Sequence, residues 1–540
     1  MNIVGCGGST HDFSSCILRD DEILVAVEDE RIGRIRHGIN LSCKSSISYC
    51  LKNAGIEIGN VEAVYANDMI AGSLLGPLKD KVMRLGHHEA HAYGTFFTCP
   101  VNNAAILVAD GCGSVTREGN GLHYRETTSF YHGEGDSIRL VNRIEGEREG
   151  PSEQNPIDAI TMDSLGDFYE AITLEIGFNV LQAGKTMGLS PYGDGSYYAL
   201  FSKFITLLAN GQFRIDVRGP NSLLTEIRKL LSAVNTELDR FVVKACLANA
   251  CQFWLEEILV HCLNYLYEET HSKNLCFSGG VALNCVFNGK ITQRTKFSEV
   301  FVPFAPGDNG TAIGAAIYGR QQMARSERKV RVTPFLGHRY SRDEIVSACS
   351  QLDGSIMIRE SHDICAEAAY HLSQNRIVGW FQERSEFGPR ALGNRSIITS
   401  PTNHAIKSIL NKRVKHREAF RPYAPAILAE FVTEYFDRWI ASPYMQFSIQ
   451  IKPEQRTRIP AVCHIDGSAR LQTVTEQDNR LFHRLIHEFY RITGIPLVLN
   501  TSFNANGEPI VETPEQALHT FLGNEMDVIV LGNFLILKHP

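Results

Sequence analysis

Short apolar runs and longer helical periodicities take turns along the 540-residue chain. Met1–Gly5 and Glu22–Val27 read as strands around a tight loop, and Ala104–Ala109 reads as a buried strand. Asp239–Glu268 carries apolar residues at helical spacing and is followed by the strand-like Asn274–Phe277. Thr311–Tyr318 is an apolar helix-like run. Further on, Ile377–Gln382 and Pro496–Leu499 read as buried strands, and Asn479–Thr493 as an amphipathic helix ending near Gly494. Strands alternating with helices predict an α/β architecture. The clearest boundary is the charged stretch Gln321–Val332, a solvated helix end or linker. The length predicts two to four domains.

Composition narrows the class. Hydrophobic residues make up 44% and charged residues 21%, as in an ordinary globular protein. The net charge of −7 provides no global basic field for nucleic acid. Apolar runs fall well short of the ~20 residues of a spanning helix, and the N-terminus lacks a basic and apolar leader, so a cytoplasmic protein without membrane contact is expected. None of the fourteen cysteines forms a Cys-x-x-Cys pair, which fits reduced core residues. From Gly337 onward there are 17 Arg and 5 Lys against 22 acids. That arginine preference suits bidentate binding of phosphate or carboxylate, though Arg-rich surfaces are also common.

Gly86-His87-His88-Glu89-Ala90-His91 is the first stretch with chemistry in it. On a helix, His87 and His91 are four apart and share one face, the geometry two imidazoles need for one metal ion. His88 points elsewhere. Asp110 ends the apolar strand before Gly111, and Asp308 lies in Pro306-Gly307-Asp308-Asn309-Gly310 ahead of a helix. Carboxylates at strand ends are where α/β proteins place ligand groups, although Asp-Gly pairs also form plain turns. Two His and two Asp leave open positions on an octahedral ion. Fe²⁺, Mn²⁺ and Zn²⁺ are the candidates, and residue types do not choose among them.

Three glycine-rich segments follow a pattern: Gly5-Cys6-Gly7-Gly8, Gly184-Lys185-Thr186-Met187-Gly188, and Ser278-Gly279-Gly280-Val281-Ala282-Leu283-Asn284. None is a Walker loop. Glycine lets backbone N–H groups approach phosphate or a purine closely. Together with Asp110-Gly111 and Gly307-Asp308 they resemble the actin/hexokinase-type nucleotide fold, a split α/β domain.

These residues resemble the O-carbamoyltransferases of antibiotic and nodulation-factor biosynthesis over nearly the whole chain. The marks are His11-Asp12-x-Ser14, His87…His91, Asp110-Gly111, Gly184-Lys185-x-Met187-Gly188-Leu189, Gly279–Asn284 and Asp308-Asn309-Gly310. The later marks are Gly388-Pro389-Arg390-Ala391-Leu392-Gly393-Asn394-Arg395-Ser396, Val414-Lys415-x-Arg417-Glu418-x-Phe420-Arg421-Pro422, His464-x-Asp466-Gly467-Ser468-Ala469-Arg470, and Asn500-Thr501-Ser502-Phe503-Asn504. The resemblance implies an actin-like carbamoyl-transfer domain over 1–330 and a YrdC-like domain over 331–540. The second would form carbamoyl adenylate from carbamoyl phosphate and Mg²⁺-bound ATP. The first would move the carbamoyl group to a hydroxyl of a small-molecule acceptor. Phe13 and Arg36 depart from the family pattern, both near the expected acceptor site, where Arg36 would bind acceptor.

The implied roles follow from charge and proton chemistry. ATP and carbamoyl phosphate together bring about six negative charges that must be offset before they meet. Arg390, Lys415, Arg421 and Arg470 are expected to hold these phosphates, with Asn500 and Ser502 orienting carbamate or ribose. In the first domain, Gly111, Gly184, Lys185, Gly279, Gly280, Asn284 and Asn309 would contact the adenylate. His87, His91, Asp110 and Asp308 would hold the metal. An attacking alcohol needs a base, and His11 oriented by Asp12 is expected to supply it. An actin-fold kinase would explain the glycine segments but not His87/His91 or the Arg-bearing half. A tRNA threonylcarbamoyl transferase fits poorly with the net charge. Asn40–Tyr65 and Glu145–Asp163 are expected to shape the acceptor pocket, and a homodimer is the default assembly.

Overall fold

The computed structural model describes residues 1–119, 122–149, 160–350, 352 and 356–538. Part of the expected acceptor segment Glu145–Asp163, residues 150–159, lies outside the described residues. The chain divides into two compact units. The first comprises Met1–Ser9, Leu18–Glu22 and Val61–Arg331, the second Thr10–Ile17, Ile23–Asn60 and Val332–Pro540. Both are discontinuous, unlike the continuous halves 1–330 and 331–540 that the resemblance implies.

The first unit contains two parallel strand triplets. Asn2–Gly7 pairs with Ala63–Asn67, which pairs with Val82–Leu85. Asn103–Ala109 pairs with Asn274–Ser278, which pairs with Glu299–Phe301. The second triplet continues from Asn103–Ala109 into antiparallel Leu122–Glu134, which forms a long hairpin with Ser137–Glu149. Ala104–Ala109 is wholly buried, as a central strand covered on both faces must be. This repeated triplet with covering helices is the actin/hexokinase-type arrangement. The long helix is Glu237–Thr270, capped by the Thr236 hydroxyl and closed by a left-handed His271.

Glycines set the closest approaches. Gly5 and Gly7 lie within the first strand, not in a loop after it. A side chain at either would overlap the backbone at Ala312 in helix Thr311–Met323. Their purpose here is helix–strand packing. The same helix crosses His87–Thr98 where Gly94 faces Gly314. A Cβ on Gly314 would collide with the Ala90 carbonyl. This tight crossing draws the histidine helix up against the segment that begins at Asp308.

The second unit is built on a nine-stranded mixed sheet. Its order is Ile356–Glu360, Phe534–Lys538, Val528–Leu531, Val378–Phe381, Arg395–Thr399, Leu497–Ser502, Ala424–Leu428, Ser468–Val474 and Phe447–Gln450. Helices Ile364–Ser373 and Arg480–Thr493 pack together against it. Arg480–Thr493 buries Phe482, Leu485, Ile486 and Phe489, one face of the expected amphipathic helix. The Asn479 side chain caps its start and left-handed Gly494 its end.

Candidate metal centre and cation cluster

In the first unit, His87 opens helix His87–Thr98 and places His91 one turn on, on the same face. Asp110 follows strand Asn103–Ala109, and Asp308 precedes helix Thr311–Met323. One ligand atom from each of the four lies within 4.8 Å of the others. Nε2 of His87 and Nε2 of His91 are 3.2 Å apart. Asp110 Oδ2 is 3.4 Å from the first and 3.3 Å from the second. Asp308 Oδ1 is 3.5 Å and 3.8 Å from them. Two ligands bound at about 2.1 Å to one ion sit about 3.0–3.4 Å apart, so the spacing fits a shared divalent cation.

The surroundings fit a cation as well. All four side chains are buried, and two carboxylates there need a positive partner. Burial would lower the His87 pKa, but Asp308 and Asp110 outweigh it and push it up to about 10. Burial and Asp308 act to raise Asp110, yet hydrogen bonds to His87 and His91 hold it below the usual carboxylate range. Asp110 Oδ1 accepts N–H bonds from Gly111 at 2.8 Å and Gly280 at 3.2 Å, leaving Oδ2 toward the histidines. Ser278 Oγ lies 3.2 Å from His91 Nδ1 and donates to the Pro306 carbonyl. It can therefore accept the Nδ1 proton, which leaves the Nε2 lone pair facing the cluster. His88 faces Ser129 and Glu126, away from the other two.

Gly279, Gly280 and Gly111 crowd this centre. Gly279 has φ 90, and a Cβ there would strike the Ala109 carbonyl. Asn309 accepts an N–H bond from Gly310 beside Asp308. Asn284 is engaged in packing: its Oδ1 caps Cys285–Asn288 and its amide bonds Gln252. Gly184-Lys185 lies in helix Ala183–Leu189, not in a phosphate-type loop, because Thr186 and Leu189 turn inward. The Lys185 ammonium stands 5.4 Å from the centre of the Phe178 ring.

The second unit holds the other expected residues. His11 Nδ1 is 3.0 Å from Asp12 Oδ2, and His37 Nδ1 is 3.3 Å from Asp12 Oδ1. Burial works to raise the Asp12 carboxyl, but the hydrogen bonds to His11 and His37 keep it low. Glu30 accepts the His37 N–H at 2.7 Å and completes this group. The sequence reading missed Glu30 and His37. The His37-Gly38 pair was the available signal, since His37, Gly38 and Asp12 all have positive φ.

Lys415 is buried and donates to the Ser502 carbonyl at 2.5 Å and to Asn504 Oδ1 at 2.7 Å. Burial, then Arg417, Arg421 and Arg36, drive its pKa well below the ordinary lysine value. Burial, then Arg417, Arg36 and Arg470, lower Arg421 to about 10 against the opposing pull of Glu418. Arg36 thus stands among the cations expected to hold phosphate. Asn500 is buried with its amide on the Ala391 carbonyl and Gln472. Ser502 donates to Asn504. Arg470 lies on strand Ser468–Val474 opposite Ser448, and Arg390 follows Pro389 in the half-buried part of the Gly388–Ser396 run.

An actin/hexokinase-type unit with a buried His/Asp centre, joined to a cation-rich α/β unit, defines a two-part group-transfer enzyme. The family model described as Carbamoyltransferase N-terminus matches residues 71–317, and Carbamoyltransferase C-terminus matches 369–538. The chain belongs to the carbamoyltransferase family and is a carbamoyltransferase. It is 32% identical to nodulation protein NolNO of Sinorhizobium fredii over 98% of this chain and 79% of that one. Nodulation protein NolO of Bradyrhizobium diazoefficiens is 34% identical, covering 84% of this chain and 79% of the relative. Among solved structures, HypF of T. kodakarensis aligns with 61% of this chain and 49% of its own at 12% identity and a TM-score of 0.39. Among the described residues no helix is long and apolar enough to cross a membrane.

Proposed function

We propose that the enzyme is an ATP-dependent O-carbamoyltransferase working through carbamoyl adenylate. Water hydrolyses carbamoyl phosphate to carbamate and inorganic phosphate, and a carbamate oxygen then attacks the α-phosphorus of ATP, displacing pyrophosphate. The carbamoyl group then passes to a hydroxyl of a small-molecule acceptor, and AMP leaves. The observation that carries this reading is the gathering of Arg36, Lys415, Arg417, Arg421 and Arg470 close enough to act on one another electrostatically, with Lys415 buried at its centre and Glu418 opposing them at Arg421. Like charges within this range repel one another, and a polyanion bound among them would offset that repulsion. Arg390 joins them as a phosphate ligand, while Asn500 and Ser502 shape the pocket from the strand Leu497–Ser502.

His11 is the proposed base for the acceptor hydroxyl, with Asp12 fixing its ring through Nδ1, so that Nε2 is the nitrogen that would take the proton. A divalent ion, Fe²⁺ first and Mn²⁺ or Zn²⁺ as alternatives, would be held by His87, His91, Asp110 and Asp308 and would supply Lewis-acid stabilisation of phosphate charge. Gly111, Gly279 and Gly280 allow close backbone approach beside it, while the Gly111 and Gly280 N–H groups hold Asp110 Oδ1. The fourteen cysteines, most of them buried, are thiols outside any disulfide, which supports a reducing, cytoplasmic setting.

The test is pyrophosphate release from purified protein given ATP, Mg²⁺ and carbamoyl phosphate. Release that requires carbamoyl phosphate, followed by AMP as the adenylate decays, is the expected result. ADP formation in its place would overturn the reading in favour of a kinase.

A further inference from the structure

The Gly388–Ser396 run carries Arg390, and both of its ends are pinned by buried carboxylates. At the far end, Glu386 Oε1 accepts N–H bonds from Leu392 and Asn394 at 2.7 Å and from Arg395 at 3.2 Å. At the near end, Gly388 is gripped at both backbone atoms. Its N–H donates to Glu28 Oε1 at 2.5 Å, and its carbonyl accepts from Arg31 Nη2 at 2.7 Å. Glu28 and Arg31 come from the distant turn where strand Glu22–Glu28 runs into helix Asp29–Gly33. They are 4% and 1% exposed, so water does not replace either bond. The Arg31 Nε lies 3.7 Å from Glu28 Oε2 and 3.6 Å from Glu30 Oε1.

Gly388 has φ 108, a conformation open to glycine, and Pro389 then fixes the next φ. The chain direction into Arg390 is therefore set at Gly388. A guanidinium that must meet a phosphate depends on where its backbone is held, and a displacement of about 1 Å costs roughly a hundredfold in rate. We infer that Glu28 and Arg31 are positioning residues for the phosphate-binding step: they clamp Gly388 at both backbone atoms and so aim Arg390. This rests on the proposed role of Arg390 in binding ATP or carbamoyl phosphate.

The test uses the full-length enzyme and carbamoyl-phosphate-dependent pyrophosphate release. Glu28→Met removes the acceptor for the Gly388 N–H and should raise the KM for carbamoyl phosphate or ATP about tenfold or more, with a smaller change in kcat. Glu28→Gln keeps an acceptor oxygen and should recover most of that KM. Arg31→Lys keeps the buried charge but shortens the reach to the Gly388 carbonyl, and should raise KM in a variant that still folds. In an Arg390→Ala background, Glu28→Met should add no further increase, since its effect runs through Arg390. Additive losses, or a lowered thermal midpoint with KM unchanged, would overturn the inference while leaving the wild-type reaction intact. A wild type without carbamoyl-phosphate-dependent release would overturn the proposed function itself.

Discussion

Ser278 receives the Nδ1 side of His91 at 3.2 Å while its own hydroxyl proton goes to Pro306. The serine thus decides which imidazole nitrogen faces the two aspartates. Partners of this kind typically contribute 10–100-fold to metal affinity. Ser278→Ala should weaken metal retention by about that factor, and His91→Ala should abolish it. Elemental analysis of purified protein after dialysis against a weak chelator checks both, and also identifies the ion. Full metal content in His91→Ala would remove the centre.

Gly279→Ala addresses the same centre from the backbone. Gly279 has φ 90, and its missing Cβ makes room for the Ala109 carbonyl. The substitution should cost on the order of 2 kcal/mol or more through strain and overlap. It should also displace Gly280 from Asp110 and lower metal content. Thermal unfolding with metal analysis reads both effects, and an unchanged midpoint would contradict the packing.

Asp29 provides a pH test away from the metal. Burial raises its carboxyl to about 7 despite the Ser46 hydroxyl and N–H bonds at 2.5 and 3.0 Å. The folded protein then holds a proton that the unfolded chain releases near pH 4. The associated stability is present below about pH 4 and is lost as pH rises through about 7. Asp29→Asn keeps the acceptor oxygen without the charge. Its thermal midpoint should gain on the wild type between about pH 5 and about pH 8. A constant difference across that range would rule the raised carboxyl out.

His11→Ala should abolish carbamoyl transfer to an acceptor alcohol while sparing pyrophosphate release. Loss of both steps would contradict the division of labour between the His11–Asp12 pair and the cation cluster.

Arg421→Ala removes a half-buried cation that Arg417, Arg36 and Arg470 already oppose electrostatically. Pyrophosphate release at low carbamoyl phosphate should fall about tenfold or more. Unchanged release would take Arg421 out of the phosphate site.

The elements that sequence pattern disclosed are those governed by local periodicity. Ala104–Ala109, Glu237–Thr270 and Arg480–Thr493 each carry one continuous pattern, with caps such as Asn479 and Gly494 marking the ends. The His87/His91 pairing was legible because helical spacing alone puts both rings on one face. Glycine was harder to interpret. Gly5 and Gly7 accommodate a helix three hundred residues away in sequence, a cause no local pattern shows, and Gly184 sits inside a helix with open space where a Cβ would point. Glu28, Arg31 and His37 were invisible as a set because their partners depend on how distant segments meet. The placement of Thr10–Ile17 and Ile23–Asn60 with Val332–Pro540 is likewise a property of the folded chain.

That interleaving bears on how the protein is made. The ribosome delivers residues 10–60 early, but the unit to which they belong is not complete until the last strand, Phe534–Lys538, has emerged. At synthesis rates of about 5–20 residues per second, the early segment waits for tens of seconds or more. During that interval Glu28 and Arg31 lack the Gly388 backbone they bond in the finished enzyme, and strand Glu22–Glu28 is a target for chaperones and proteases. Nascent chains stalled before residue 332 should therefore be cleaved within residues 23–60 by a protease that leaves the finished enzyme whole.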